Sequence, residues 1–124
     1  MGNLVTAWHN KTPLIVTCGQ QARTMLLIEP RLTNRGAAEL VRPYAKWGHE
    51  PTRAQDIPAA LMRAYATAVQ PPAGPVLLSL PLDDWQQSAD GTPTPRRVST
   101  RFAPDPRRLR DVAEALAISR HPVL

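Results

Sequence analysis

Two adjacent carboxylates, Asp83 and Asp84, are the residues whose types and spacing suggest chemistry most directly. A pair of carboxylates can divide the roles of general acid and general base between them. These two follow a strongly apolar run, and adjacent residues at the end of a strand point in different directions. We therefore expect the pair to support the structure rather than acid–base catalysis, with Trp85 beside it as a packing anchor.

Histidine and cysteine offer few further reactive groups. His9, His49 and His121 lack a metal-ligand spacing such as two histidines four positions apart on a helix. Cys18 is the single cysteine, so no internal disulfide can form, and its apolar neighbours predict a small buried hydrophobe. This cysteine usage indicates a reduced, cytoplasmic setting.

The element that must position the two carboxylates is a strand that begins at Gly74-Pro75 and ends at Pro81. It is apolar at almost every residue, which is typical of a strand inside a parallel sheet covered by helices. Pro81 lacks a donor for the ladder, so pairing stops there. The residues that follow lie at the carboxyl end of the strand, which is where open α/β sheets bind ligands.

Helices and further strands precede that strand. We expect a helix over 1–10, a buried strand over 13–18 that Gly19-Gln20-Gln21 ends, a turn over 34–36, a short helix over 37–40, a strand over 44–50 and an amphipathic helix over 57–69. Thr52 and Gln55 have the spacing of a capping box for the last of these helices, and Asp56 is a second candidate cap. The fold class that this order predicts is α/β.

The residues after the strand have a different character. The polar, proline-bearing stretch 86–104 predicts an interdomain linker. Asp105 and Pro106 then start a last helix. Its inner face is expected to carry Leu109, Val112, Ala113 and Leu116. Residues 121–124 begin another apolar strand, and because both ends of the chain interrupt an element, we expect a segment of a longer polypeptide, truncated at both ends.

Length and charge narrow the function classes. At 124 residues the chain forms one domain at most, and no apolar run approaches the ~20 residues of a membrane span. The net charge of +5 arises mainly from arginines crowded between positions 96 and 110, where Phe102 is the only aromatic residue. A solvated linker and helix face explain such a cluster better than a nucleic-acid surface, which would favour more aromatic residues for base stacking. We expect neither a nucleic acid nor a membrane as a partner.

Three ordered stretches resemble the benzoylformate decarboxylase-like group of thiamine-diphosphate-dependent enzymes. They are Pro13 to Gln21, then Arg42-Pro43 with Lys46-Trp47 and Ile57-Pro58, and finally Gly74-Pro75-Val76 through Pro81-Leu82-Asp83-Asp84-Trp85. Their order and spacing carry the resemblance. It implies that residues 1–87 are the second half of the N-terminal, pyrimidine-binding domain, that 88–104 are a linker, and that 105–124 begin the middle domain.

The resemblance also implies an activity for the full-length protein. Such enzymes are carboxy-lyases of three domains, usually homotetramers, which use thiamine diphosphate with Mg²⁺ or Ca²⁺ to release carbon dioxide from a 2-keto acid without oxidation. For this group the small-molecule substrate is an aromatic 2-keto acid and the product an aldehyde. The family's catalytic glutamate belongs upstream, and no Gly-Asp-Gly diphosphate motif occurs here. The segment thus holds no catalytic or cofactor-binding residue and is expected to be inactive alone.

By the same resemblance, some residues could still line the substrate pocket. Arg31 and Leu32 match a position where benzoylformate decarboxylases present two apolar residues to the substrate. Leu32 keeps that character, whereas the Arg31 guanidinium would favour a carboxylate or point to solvent. Gln20, at the carboxyl end of the first strand, either hydrogen-bonds active-site loops or caps the strand end.

A structural metal site is implied at Glu39, Leu40 and Arg42. The family holds a second cation at the matching positions through one side-chain oxygen and backbone carbonyls, at a subunit contact. Glu39 offers a carboxylate suited to Mg²⁺ or Ca²⁺. A helix end with a solvated glutamate explains the same residues equally well.

Two other functions remain open at this point. One is an acetolactate synthase-like enzyme or another carboligase of the same family. The other is a non-catalytic binding or assembly module that pairs through an exposed sheet edge.

Overall fold

The computed structural model describes residues 2–121, which form a small α/β fold. Its elements are α1 (Gly2–His9), β1 (Leu14–Gln20), α2 (Arg23–Leu26), α3 (Ala37–Leu40), β2 (Trp47–His49), α4 (Ile57–Val69), β3 (Pro75–Pro81) and α5 (Pro106–Ile118). Short 3-10 turns cover Arg42–Tyr44, Ala54–Asp56 and Leu82–Gln86. The α/β class predicted from the sequence is confirmed.

The three strands form one parallel sheet in the order β1-β3-β2. The β1–β3 pairing runs from Leu14 opposite Pro75 to Gln20 opposite Pro81, and β2 lies on the other side of β3. Because β3 has a neighbour on each side and cover on both faces, every one of its residues is buried. This confirms the predicted buried strand and its parallel partners.

One face of the sheet packs on α4. Val76, Leu78 and Leu80 point to this face and meet a row of alanines, spaced four residues apart, that α4 presents to them. The row consists of Ala60, Ala64 and Ala68. These small side chains repeat with the helical period and let the helix backbone approach the strand closely.

The opposite face of the sheet is covered by α1, α3 and the turn after α3. Leu77 of β3 packs there against Val41 and Ala45, with Val16 and the half-buried Cys18 beside them. Cys18 therefore contributes to an apolar cluster, as its neighbours predicted. α3 lies directly on β2, where a Cβ added to Gly48 would overlap the backbone carbonyl of Ala38.

Several predicted elements are wrong in extent. β1 continues to Gln20 instead of ending at residue 18, and it is only partly buried because it is an edge strand of the described sheet. The strand predicted over 44–50 shrinks to Trp47–His49, since its first residue belongs to a 3-10 turn over Arg42–Tyr44 that contains Pro43.

The predicted caps of α4 are also wrong. No side chain caps this helix, which is entered through the 3-10 turn Ala54–Asp56. The Asp56 carboxylate instead accepts hydrogen bonds from Thr52 and from the Arg53 guanidinium. A charged neighbour thus competes successfully with the backbone N–H groups for this carboxylate.

The predicted last helix is present, and its start is confirmed. The Asp105 carboxylate accepts a 2.9 Å hydrogen bond from the Arg107 N–H, and Pro106 is the first helical residue. No residue of α5 is buried, so its predicted inner face is open in this chain. Trp85 is 72% exposed, and its predicted role as a packing anchor is wrong for this chain.

The division into a domain over 1–87, a linker over 88–104 and a second domain from 105 stays a prediction. Residues 87–105 contain neither helix nor strand within the described chain. The strand predicted over 121–124 lies almost wholly outside the described residues. Between residues 2 and 121, no helix is long and apolar enough to cross a membrane.

Candidate functional site

The carboxyl end of the sheet gathers polar side chains from all three strands. Gln20 ends β1, Ser79 lies in β3, and Glu50 directly follows β2. The Ser79 hydroxyl donates a 2.6 Å hydrogen bond to Glu50 Oε2, and the Gln20 amide nitrogen donates to the same oxygen at 3.2 Å. Ser79 is fully buried, so its hydroxyl needs this partner. The three residues form a row across the sheet, which we call the Glu50 row.

Gln20 connects this row to the loop before α3. Its side-chain oxygen accepts the Asn34 N–H at 3.0 Å, and its side-chain nitrogen donates to the Asn34 carbonyl at 3.0 Å. The same oxygen also accepts the Gln21 N–H. With 8% of its surface exposed, Gln20 is buried behind the loop and uses its amide for these contacts. Gln20 thus hydrogen-bonds a loop, and whether that loop belongs to an active site stays a prediction.

A second polar group surrounds Arg23. Its guanidinium donates to both carboxylate oxygens of Asp84, at 3.0 and 2.6 Å, and to the Pro51 carbonyl at 2.7 Å. Its backbone N–H donates to the Asp83 carboxylate at 3.1 Å. The hydrogen bond with Asp84 raises the pKa of the Arg23 guanidinium further above its ordinary value. Arg23 thus joins three distant parts of the chain at the end of the sheet.

The adjacent carboxylates are both engaged by Arg23. Asp83 and Asp84 lie in the 3-10 turn Leu82–Gln86, and each accepts a hydrogen bond from a different group of Arg23. Asp83 receives the backbone N–H of Arg23 and Asp84 receives its guanidinium, so both contacts are of the kind that the expected structural role requires. Asp84 is 6% exposed, and a buried carboxylate of this kind needs a cationic partner to remain charged.

The predicted pocket residues Arg31 and Leu32 lie in a turn between α2 and α3. Both are exposed, and Leu32 retains 74% of its surface. The segment 29–35 is closed by an ion pair between Glu29 and Arg35 at 2.5 Å. The structure therefore places Arg31 and Leu32 on the loop that Gln20 binds, but on its solvent side. Their contact with a substrate stays a prediction.

The predicted metal residues form an ion pair. Both carboxylate oxygens of Glu39 bind the Arg42 guanidinium, at 2.5 and 2.9 Å. Leu40 lies between them and is exposed. A cation at this position would have to displace the guanidinium, which is feasible only because exposed ion pairs of this kind contribute little. The structural cation stays a prediction.

Within residues 2–121, no three histidine, cysteine or carboxylate side chains are grouped as metal ligands. That finding does not test the site at Glu39, which would rely on backbone carbonyls.

Sequence reasoning missed Arg23 and Glu50. Arg23 finds Asp84 some 61 positions away, and no local pattern marks such a pair. Glu50 had a weak signal, because it is the first residue after a strand and so falls at the ligand end of a parallel sheet.

The comparisons with known proteins give one consistent result. No family model matches the chain. Benzoylformate decarboxylase of Pseudomonas aeruginosa is 46% identical over 127 aligned residues, which take in all of this chain and 24% of that protein.

Solved structures match equally closely. The benzoylformate decarboxylase of Polynucleobacter necessarius has a TM-score of 0.90 and 53% identity, over 99% of this chain and 23% of that one. A thiamin diphosphate-dependent enzyme from Mycobacterium smegmatis has a TM-score of 0.90 and 52% identity, over 98% and 23%. The 4-hydroxybenzoylformate decarboxylase of Rhodococcus jostii has a TM-score of 0.87 and 35% identity, over 98% and 24%.

By sequence and fold, the chain is therefore a relative of the thiamine-diphosphate-dependent enzymes. Within that class, three of these relatives are decarboxylases of benzoylformate or 4-hydroxybenzoylformate, and the predicted resemblance is confirmed. The chain spans about a quarter of the length of these relatives.

Proposed function

We propose that this chain is the sheet-forming segment of a thiamine-diphosphate-dependent decarboxylase that acts on an aromatic 2-keto acid. The observation that carries the proposal is the match to benzoylformate decarboxylases, which holds over the whole chain in both sequence and backbone. The matched segment includes the carboxyl ends of the strands, where this kind of sheet binds ligands. The match therefore bears on the active site of the whole protein as well as on its fold.

The chain's own residues would contribute shape rather than chemistry. The acidic side chains at the end of the sheet are engaged, Glu50 by Ser79 and Gln20, and Asp83 and Asp84 by Arg23. They do not fit as ligands of a cofactor diphosphate or of its metal, and the chain contains no Gly-Asp-Gly sequence. When bound, thiamine diphosphate takes up the electrons left behind as carbon dioxide departs.

Two of the residues would shape the substrate pocket. Leu32 presents an apolar surface suited to an aromatic ring, and Arg31 beside it supplies a cation suited to a carboxylate. Together they favour a substrate that combines both groups. Gln20 would act behind them by holding their loop.

The activities for which the relatives are named favour decarboxylation over the alternatives. Three of them are decarboxylases of benzoylformate or 4-hydroxybenzoylformate. An acetolactate synthase-like carboligase has no comparable support, and neither has a non-catalytic assembly module.

A chimaera tests the proposal. The aligned 127 residues of the Pseudomonas aeruginosa enzyme are replaced by this chain, and carbon dioxide release from benzoylformate is measured with thiamine diphosphate and Mg²⁺. We expect kcat/KM within about 100-fold of the parent, because a backbone shift of about 1 Å can cost that factor. A control with the segment deleted should show no activity.

Substrate choice supplies the contradicting outcomes. A chimaera that folds and binds the cofactor but releases carbon dioxide only from pyruvate would favour the carboligase branch. A folded chimaera that turns over neither compound would refute the proposal. Replacing Arg31 by leucine should raise the preference for benzoylformate over a dicarboxylic 2-keto acid.

The finer expectations belong to the full-length protein. We extend the proposal to a homotetramer, to Mg²⁺ or Ca²⁺ with the cofactor, and to a cytoplasmic location. Light scattering of the full-length protein, metal analysis of the purified holoenzyme and cell fractionation test these in turn. The cation at Glu39, Leu40 and Arg42 is tested by comparing metal content between wild type and Glu39→Ala.

A further inference from the structure

Glu50 accepts two hydrogen bonds that play no part in the proposed reaction. Its Oε2 atom accepts the Ser79 hydroxyl at 2.6 Å and the Gln20 amide nitrogen at 3.2 Å. Ser79 is fully buried in β3, which is paired on both sides. Glu50 is thereby tied to the central strand of the sheet.

Gln20 extends this attachment to the loop before α3. Its amide pairs with both backbone polar groups of Asn34, each at 3.0 Å, as a neighbouring strand would. The Asn34 side chain returns a hydrogen bond to the Gly19 carbonyl. Three hydrogen bonds therefore dock the loop to the end of β1 at a single residue.

Within the described chain, no other hydrogen bond joins residues 29–35 to the sheet, although the Thr33 hydroxyl is buried. Arg31, Leu32 and Arg35 are exposed, and the ion pair that joins Glu29 to Arg35 is solvated and internal to the loop. Such exposed pairs contribute little to stability. The hydrogen bonds at Asn34 therefore tie the loop that carries Arg31 and Leu32 to the sheet.

We infer that Glu50 is a positioning residue, which fixes the Arg31–Leu32 loop through Gln20 and Asn34 without touching the substrate. This inference rests on the proposed function for its catalytic consequence, but its structural part is independent of it. One carboxylate oxygen receives donors from two strands and so orients the Gln20 amide. A misoriented amide could not pair with both backbone groups of Asn34.

Amide hydrogen exchange in the 124-residue chain tests the structural part. Glu50→Ala should raise the exchange rate of the Asn34 amide by about tenfold, because its acceptor loses orientation. Glu50→Gln should leave the rate near that of wild type, since the new amide oxygen can accept from both Ser79 and Gln20. Gln20→Ala removes the acceptor and serves as the positive control, and Glu114→Ala, an exposed glutamate of α5, as the matched negative control.

Kinetics of the chimaera test the catalytic part. Glu50→Ala should lower kcat/KM for benzoylformate by about ten- to a hundredfold per bound cofactor, with KM raised, and Glu50→Gln should restore most of the loss. A residue that only stabilised the fold would change the amount of folded enzyme and its Tm, but not kcat/KM per active site. The rescue by glutamine separates positioning from any role of the negative charge.

Three results would overturn the inference. One is an unchanged Asn34 exchange rate in Glu50→Ala, and another is a kcat/KM that Glu50→Ala leaves intact. The third is equal impairment of Glu50→Gln and Glu50→Ala, which would give the carboxylate charge a part in the reaction. If the parental chimaera is inactive while the exchange results hold, the proposed function fails and the positioning of the loop stands.

Discussion

The two long helices, α4 and α5, begin with similar sequences, but α4 packs against the sheet and α5 is exposed on all sides. α4 and α5 each have 13 residues, an aspartate directly before them and a proline in the first two positions. α4 is not capped by its aspartate, yet it buries three alanines against the sheet. α5 is capped by its aspartate and buries nothing.

The difference shows that capping and burial are independent sources of helix stability. A cap depends on neighbouring residues, so the sequence around Asp105 suffices to form one. Burial depends on a partner surface, and in most proteins it contributes more than local propensity does. We expect α4 to unfold with the sheet and α5 to unfold independently of it.

The largest expected effect comes from matched leucine truncations. Leu78→Ala in β3, beneath α4, should lower the free energy of unfolding by about 2–5 kcal/mol, because it leaves a cavity at a fully buried site. Leu109→Ala in α5 should change it by less than about 0.5 kcal/mol. Urea unfolding followed by tryptophan fluorescence measures both. A comparable cost for Leu109→Ala would mean that α5 packs against the sheet.

A smaller effect is expected at the C-terminal end of α4. The Lys46 ammonium donates to the Thr67 and Gln70 carbonyls there, which also complements the helix dipole. Lys46→Met should lower the free energy of unfolding by about 1–2 kcal/mol, because it removes both hydrogen bonds. The loss is no larger because burial disfavours the charged ammonium, as the lowered pKa of Lys46 shows.

Arg110→Met provides the control for this variant. Among residues 2–121, its guanidinium donates only to the Pro106 carbonyl of its own helix, at the surface. Urea unfolding of this variant should match wild type. If both variants lost the same free energy of unfolding, the tertiary hydrogen bonds of Lys46 would contribute no more than the local one of Arg110.

The caps themselves should produce local effects. Asp105→Ala removes the hydrogen bond to the Arg107 N–H and should destabilise α5 by about 1 kcal/mol. Amide exchange over the first turn of α5 should rise, whereas the urea midpoint of the sheet should not move. Asp56→Ala should affect amide exchange in the first turn of α4 no more than in the rest of that helix, and a selective rise in the first turn would show that Asp56 does act as a cap.

The smallest effect is a dependence on pH at the start of α4. The Arg53 guanidinium holds the pKa of the Asp56 carboxyl below its ordinary 3.8. Because the folded value lies below the unfolded one, the stabilisation is complete above 3.8 and is lost as the pH falls through the lowered pKa. The difference in Tm between wild type and Asp56→Asn should therefore be constant between about pH 5 and 7 and vanish in stronger acid. In an Arg53→Gln background this dependence should weaken, and its persistence would assign the shift to another group.

Much of the fold could be predicted because its signals are local. The unbroken apolar run to Pro81 identified the central strand, and the helical period of Ile57, Leu61, Ala64 and Ala68 identified α4. Asp105-Pro106 marked the start of α5 to the residue. Boundaries failed where a turn replaced an extended segment, as at Arg42–Tyr44, because 3-10 turns leave only a weak pattern.

The candidate site was less predictable, because its contacts join distant residues. The Asp83-Asp84 pair was visible, but its partner Arg23 was not. The amide of Gln20 was placed at the right end of the sheet, yet the Glu50 row requires the register of three strands to be known. Sequence spacing alone does not give that register.

The contact between Gly48 and Ala38 has a consequence for anyone who exchanges this segment between related proteins. The obstacle to a side chain at position 48 is a backbone carbonyl, so no change of rotamer could accommodate even a methyl group. The absence of a Cβ at Gly48 therefore sets the distance between β2 and α3. A related segment with a larger residue at position 48 would push α3 away from β2. The ion pair of Glu39 and Arg42, which lies at the end of α3, would move with that helix.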